Sequence, residues 1–203
     1  KEQLATDLLA LLDVLGIAQV TWIGHDWGSW VGQLTALRAP ERIERMLALC
    51  VPHLWVAPHP RQLALLGYQG PISLPILGRP IARRMIPTIL QAGRGHDRLS
   101  AADLELFAQH VSPEVTVAMY RTFLTRELVP IARGRYARSQ LEVPTTVMVG
   151  GRDRVTRGMA PGPVPGQPLL QVEVIDGVAH WLPEQRPDVV TGWAAQPTAA
   201  QPT

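Results

Sequence analysis

Two glycines bracket a carboxylate at Gly24-His25-Asp26-Trp27-Gly28, where a strand-turn-helix motif of the form G-x-S-x-G would carry a serine nucleophile. Val20-Thr21-Trp22-Ile23 before it reads as a buried strand, and Ser29 to Arg38 after it reads as a helix. That is the local context the motif requires. The glycines permit a tight, strained turn, which holds the side chain between them at the sheet edge and aims it into a cleft. A carboxylate held there can attack carbon. The same five residues also fit a glycine-rich turn whose aspartate caps the next helix, so residues further along must decide between the two readings.

Composition narrows the options only modestly. The chain has 203 residues, 46% of them hydrophobic, a mean hydropathy of +0.06 and a formal charge of +2 with a pI near 9.1. A chain of this size can bury a sizeable core as one domain, with or without an insertion. Arginine is scattered. The densest group, Arg133, Arg135 and Arg138, reads as a solvated face rather than a nucleic-acid site. Cys50 is the sole cysteine, which excludes an internal disulfide, and its place in the apolar run Met46 to Val51 suits an inert core thiol. No run is long enough to span a membrane, and no signal peptide is visible. A cytoplasmic location is the expectation, although the chain opens at Lys1 without a methionine.

Leu4, Leu8, Leu11, Leu12 and Leu15 share one face at helical spacing before Gly16 ends the helix. The strand from Val20, the helix from Ser29 and a second strand, Met46 to Val51, complete the alternation of a parallel α/β sheet. From Leu54 to Gln140 the pattern becomes short amphipathic helices broken by Pro and Gly, such as Ser100 to His110 and Pro113 to Leu128. Strand patterns return at Val143 to Val149 and Leu169 to Ile175, separated by a loop from Gly158 to Pro168 that is rich in Pro and Gly. The expected division is a first core part at 1–53, a helical insertion at 54–140, a second core part at 141–193 and a disordered tail at 194–203, where AAQPT occurs twice.

Two further residues complete an arrangement. Asp153 follows the strand ending at Val149, at the carboxyl edge where parallel sheets carry their sites, and His180 follows the strand ending at Ile175. Asp153 alone fits a turn or cap residue, and His180 alone fits a surface or cap histidine. Together, behind the elbow, they give the chain order nucleophile, acid, histidine.

The segments TWIGHDWGSW, LCVPH, VMVGGRD and GVAHWLPEQRPDVV together resemble the epoxide hydrolases of the α/β-hydrolase superfamily, with the haloalkane dehalogenases as close relatives. The resemblance runs from Lys1 to about Val190 and implies an α/β-hydrolase fold: a parallel sheet with helices on both faces and a helical cap over the site. In that family the cap supplies two tyrosines that hold the epoxide oxygen. Tyr68-Gln69-Gly70-Pro71-Ile72-Ser73-Leu74-Pro75 resembles the first cap signature with Ser73 in place of the usual glutamine, and Met119-Tyr120-Arg121 resembles the second with Thr122 in place of asparagine. Each tyrosine also fits an amphipathic wedge between helices. Tyr136, the third tyrosine, has no motif and reads as surface.

The resemblance implies that Asp26 opens an epoxide to an ester, that Tyr68 and Tyr120 activate the ring oxygen, and that His180, oriented by Asp153, delivers water to the Asp26 carboxyl carbon. The Trp27 backbone N–H is the expected oxyanion donor, the product is a vicinal diol, and no metal or organic cofactor is called for. The expected partners are a small apolar epoxide and water, with no nucleic acid and with self-association left open. One alternative is a haloalkane dehalogenase, in which the Trp27 indole N–H would grip the halide. Another is an inactive, truncated hydrolase-like fragment, because the His-Gly-x-Pro loop and the first strands of such enzymes precede the helix on which this chain opens. The N-terminal strands are therefore expected to be absent, which would leave an exposed strand edge prone to association.

Overall fold

The computed structural model describes residues 1–56, 64, 66–93, 100–156 and 158–197. Helix α1 (Glu2–Val14) leads into strand β1 (Val20–His25), helix α2 (Trp27–Arg38) and strand β2 (Ile43–Leu49). A helical layer follows: α3 (Gln69–Ile72), α4 (Gly78–Gly93), α5 (Ala101–His110), α6 (Pro113–Thr122) and, after a π-helical turn at Phe123–Glu127, α7 (Leu128–Ala132). The chain then returns to the sheet with β3 (Thr145–Gly150), β4 (Gly162–Val164) and β5 (Gln167–Ile175), and closes with α8 (Leu182–Gln185) and α9 (Pro187–Ala194).

The sheet has the order β1-β2-β3-β5-β4. Pairings β1–β2, β2–β3 and β3–β5 are parallel, whereas β4 runs antiparallel to β5. The expected loop at Gly158 to Pro168 thus contains a short edge strand, formed because Gly166 at φ +77° allows a tight return into β5. The two central strands are apolar on both faces, as parallel strands covered by helices must be. Met46, Ala48, Val147 and Val149 pack with Trp30, Val31 and Leu34 of α2 and Ala5 of α1. Leu47, Leu49 and Met148 point the other way, onto Leu182 of α8 and Trp193 of α9. The alternation along one strand is what places helices on both faces.

Several expectations need correction. The leucine stripe of α1 is only partly buried: Leu12 is buried, with Ala5 beside the core, while Leu4, Leu11 and Leu15 are exposed. Strand β1 is not buried either. Among the described residues it lies at one end of the sheet, with Thr21 and Ile23 exposed and Val20 and Trp22 half-buried. The helix expected across Pro113 to Leu128 is present and runs on to Ala132, with a π turn at Phe123–Glu127 within it. Tyr136 is half-buried, its hydroxyl donating to Glu2 Oε1 at 2.9 Å. Of the expected tail, residues 198–203 lie outside the described residues, and α9 extends to Ala194 with Trp193 buried. Among the described residues no helix is long and apolar enough to cross a membrane.

Glycine is obligatory at the start of the elbow. A Cβ on Gly24 would lie 2.7 Å from the backbone of both Gly28 and Ser29, neither of which can rotate away. Gly24→Ala should therefore cost about 3 kcal/mol of unfolding free energy, in the range of substitutions that force a backbone to move. Urea denaturation measures this, and Gly28→Ala, where a Cβ meets nothing within 4 Å, serves as the control with a smaller loss.

Candidate active site

Asp26 sits between β1 and α2 with φ +51°, a left-handed value that L-residues adopt at a cost of about 1–3 kcal/mol. The turn is held from three sides. Asp26 N–H donates to Leu49 O at 3.0 Å, and Trp30 N–H donates to Asp26 O at 3.1 Å. Ser29 Oγ lies 2.6 Å from Gly24 O and accepts from Leu49 N–H at 2.8 Å, stapling the elbow to β2. The Asp26 side chain makes no capping bond to its helix, so the simple N-cap reading does not describe it. Its carboxylate instead meets His180 and the Trp27 backbone N–H.

His180 lies between two acids. Its Nε2 is 3.1 Å from Asp26 Oδ2 and its Nδ1 is 3.2 Å from Asp153 Oδ2. Carboxylates only accept, so both ring nitrogens donate when the ring is charged. Asp153 is 1% exposed and also accepts from Val155 N–H at 2.9 Å and from the Thr156 hydroxyl at 2.8 Å, which fixes its orientation. Asp26 keeps 46% of its side-chain exposure, but that surface opens onto a protein-walled cavity rather than bulk solvent. The difference matters: Asp153 is anchored, and Asp26 is presented.

Burial alone would lower the His180 pKa, but hydrogen bonds to Asp153 and Asp26, with their charges, raise it to about 10. Burial alone would raise the Asp26 pKa, but the hydrogen bond and charge of His180, helped by the Trp27 N–H, leave it below the usual carboxylate range. At neutral pH His180 is thus held as an imidazolium against the Asp26 carboxylate.

The histidine loop is positioned by close backbone approach. Arg152 N–H donates to Val178 O at 2.8 Å, and a Cβ on Gly150 would collide with Ala179 O at 2.3 Å. His180 N–H donates to Gly93 O at 2.9 Å, and Trp181 Nε1–H donates to Leu90 O at 2.8 Å, docking the loop on the end of α4. A further contact escaped the sequence reading. His25 Nε2 lies 2.8 Å from His180 O, and since a carbonyl only accepts, that nitrogen carries the proton. The one sequence signal for it is its place beside Asp26 in the elbow.

Tyr68 precedes α3 and Tyr120 lies on α6, and their hydroxyls are 3.4 Å apart. Burial raises both pKa values, and in Tyr120 the neighbouring Tyr68 adds to the rise, so both phenols stay protonated donors. Both also feel the Asp26 charge. The Trp27 ring packs on Tyr120 and on Phe123. Together these residues face a cavity of about 600 Å³ with otherwise mainly apolar walls, including Met85, Ile86, Ile89 and Leu128.

Ligand atoms of His25, Cys50 and His180 lie within 4.8 Å of one another, the one such group of three among the described residues. Those atoms are already engaged. His25 Nε2 bonds to a carbonyl, both His180 nitrogens meet carboxylates, and burial pushes the Cys50 thiol up to about 12, which disfavours the thiolate a metal would take.

A carboxylate at an elbow, a histidine after the last parallel strand and a second acid between them in the chain match the layout of a hydrolase of the α/β class. The profile described as "Alpha/beta hydrolase family" matches residues 2–193, and the chain belongs to that family. Within it the similarity runs to epoxide hydrolases. Epoxide hydrolase 4 of Homo sapiens is 24% identical over 213 residues, covering 92% of this chain and 55% of that protein. Epoxide hydrolase A of Mycobacterium tuberculosis is 27% identical over 234 residues, covering 93% of this chain and 71% of that protein. The crystal structure of an epoxide hydrolase from Vigna radiata superposes with a TM-score of 0.70 at 24% identity, over 93% of this chain and 71% of that one. The chain thus spans about half the length of the human relative.

The His180 proton links the site to stability. Folding raises its pKa from 6.5 to about 10, so its contribution is complete below pH 6.5 and is lost as pH rises through about 10. Asp26, lowered from 3.8, contributes above that value and loses its contribution as acid protonates it. Urea midpoints of the parent should therefore fall across the alkaline window, and His180→Gln should flatten that dependence. Imidazole NMR should place the His180 midpoint well above 6.5.

Proposed function

We propose that this chain carries the machinery of an epoxide hydrolase, which converts an epoxide to a vicinal diol through an ester on Asp26. The observation that carries the reading is the paired hydroxyls of Tyr68 and Tyr120, 3.4 Å apart over the cavity into which the Asp26–His180–Asp153 relay opens. The similarity to named epoxide hydrolases supports it. On this reading residues 1–53 and 141–193 form the hydrolase core and 54–140 the cap.

A carboxylate is a weak nucleophile, so ring opening needs its developing alkoxide stabilised by fixed donors in a dry site. Asp26 attacks a ring carbon, the C–O bond breaks, and a tyrosine proton goes to the oxygen. Esterification removes the Asp26 charge that helped hold the His180 proton. His180 then returns a proton to the tyrosinate and becomes a neutral base. Water attacks the Asp26 carboxyl carbon as His180 takes its proton, with the Trp27 N–H on the resulting oxyanion. His180 passes that proton to the departing diol oxygen. The regenerated Asp26 acid gives its own proton to His180, restoring the resting carboxylate and imidazolium. Asp153 holds the ring throughout.

Two experiments test the scheme. In His180→Gln the ester should form and persist, so mass spectrometry after exposure to a terminal epoxide should find one substrate mass on the Asp26 peptide. Turnover equal to the parent would remove His180 from the mechanism. Tyr68→Phe or Tyr120→Phe should each slow ring opening on the order of 10²-fold, as loss of one oxyanion donor does. Haloalkane turnover that survives both substitutions while epoxide opening was never detectable would favour the dehalogenase.

A further inference from the structure

The turn between α3 and α4 presents its apolar residues to solvent. Leu74 is 43% exposed, Ile76 85% and Leu77 57%, and Pro75 among them is exposed as well. Single exposed apolar side chains are ordinary on a protein surface, but a consecutive run rimmed by charge marks a surface that meets something. The turn is not loose. Gly78 N–H donates to Leu74 O at 3.0 Å, Ile81 N–H donates to Leu77 O at 3.1 Å, and the buried side chains of Ile72 and Ala82 fasten both sides to the helical layer. A Cβ on Gly78 would lie 2.2 Å from Ile72 O, so the backbone is pinched at the base of the turn. The fold therefore holds the apolar tip outward.

Directly after the tip, α4 brings Arg79, Arg83 and Arg84, all exposed. Glu114 of α6 lies 3.8 Å from Arg79 Nε and 4.0 Å from Arg83 Nη2, so one carboxylate faces two guanidiniums and neither contact is short enough for a hydrogen bond. The imbalance is already present in the sequence: residues 45–96 hold six arginines and no Asp or Glu, although the whole chain carries a formal charge of only +2. Charge and size then select what covers the tip. A second copy related by a two-fold axis would set this patch against itself, arginines facing arginines. A stable protein partner needs about 800 Å² from each side, more than one turn of four residues supplies. A bilayer needs neither a matching pocket nor a large footprint, and an anionic one complements the arginines.

We propose that the turn at 74–77 inserts into the surface of an anionic lipid bilayer, with Arg79, Arg83 and Arg84 at the level of the headgroup phosphates. This goes beyond the epoxide reading and does not depend on it. Leucine and isoleucine leave water at such an interface, and a guanidinium pairs with phosphate oxygens through two parallel N–H donors. Each basic residue near an anionic leaflet strengthens attachment about fivefold, an effect that salt screens.

The test is sedimentation with vesicles of phosphatidylcholine, with and without phosphatidylglycerol. The parent should bind the phosphatidylglycerol vesicles at low salt, and binding should fall as salt is added. Ile76→Ser/Leu77→Ser should weaken that binding by roughly tenfold or more, because less apolar area leaves water. Arg83→Gln/Arg84→Gln should weaken it on the order of tenfold and reduce its dependence on salt. Val14→Ser on α1, at a position as exposed as Ile76, should bind like the parent. All these positions are exposed, so circular dichroism of each variant should match the parent. No binding to anionic vesicles, or binding that survives the loss of Ile76 and Leu77, overturns insertion. Equal binding to both kinds of vesicle overturns the part given to the arginines. A dimer in analytical ultracentrifugation that Ile76→Ser/Leu77→Ser dissolves also overturns the inference, because a second copy would then cover the turn.

Discussion

One imidazole held between two carboxylates is the constraint on which the rest of the structure depends. Asp26 and Asp153 come from the ends of β1 and β3, with β2 between them, and an unpaired carboxylate in such an enclosed place is expensive. His180 satisfies both through opposite edges of one ring. The two acids are not equivalent. Asp153 has two further donors and no outlet, so it serves as the fixed end. Asp26 faces the cavity, so it is the end that can change its bonding.

That geometry requires backbones to come closer than side chains allow. The elbow folds back on itself at Gly24, and the histidine loop presses on the end of β3 at Gly150. Asp26 itself is held at a positive φ by bonds to Leu49 O and from Trp30 N–H, with Ser29 bracing the same two strands. Strain confined to one residue and offset by several hydrogen bonds fits a side chain that must be aimed.

Sequence patterns carried much of this because they are local. The elbow, the strands ahead of Asp153 and His180, and the short helix from Ser100 to His110 are spelled by neighbouring residues. What was not legible depended on distant parts of the chain. Leucine spacing in α1 describes a face, but which face is buried is set by what packs on it, and Ala5 rather than Leu4 meets the core. Val20 to Ile23 reads as buried by composition alone, yet β1 lies at the sheet's end, a fact of strand order. Strand β4 hid inside a Pro- and Gly-rich run because its pairing depends on β5 beyond the turn. His25 carried no signal beyond its neighbour, since its partner is a backbone carbonyl 155 residues away.

The helical layer does more than roof the cavity. The end of α4 accepts His180 N–H through Gly93 O and the Trp181 indole through Leu90 O, and a Cβ on Gly93 would strike the Trp181 ring at 2.5 Å. Trp181 also packs between Phe107 of α5 and the rings of His25 and His180. Lifting α4 away from the sheet would therefore break two hydrogen bonds and release the backbone that aims the histidine. A motion that opened the site from this side would break the backbone contacts that hold His180 between Asp26 and Asp153. Any opening that keeps His180 between its two acids must leave the end of α4 seated on the histidine loop, which ties the helical layer to the core at Gly93 and Leu90.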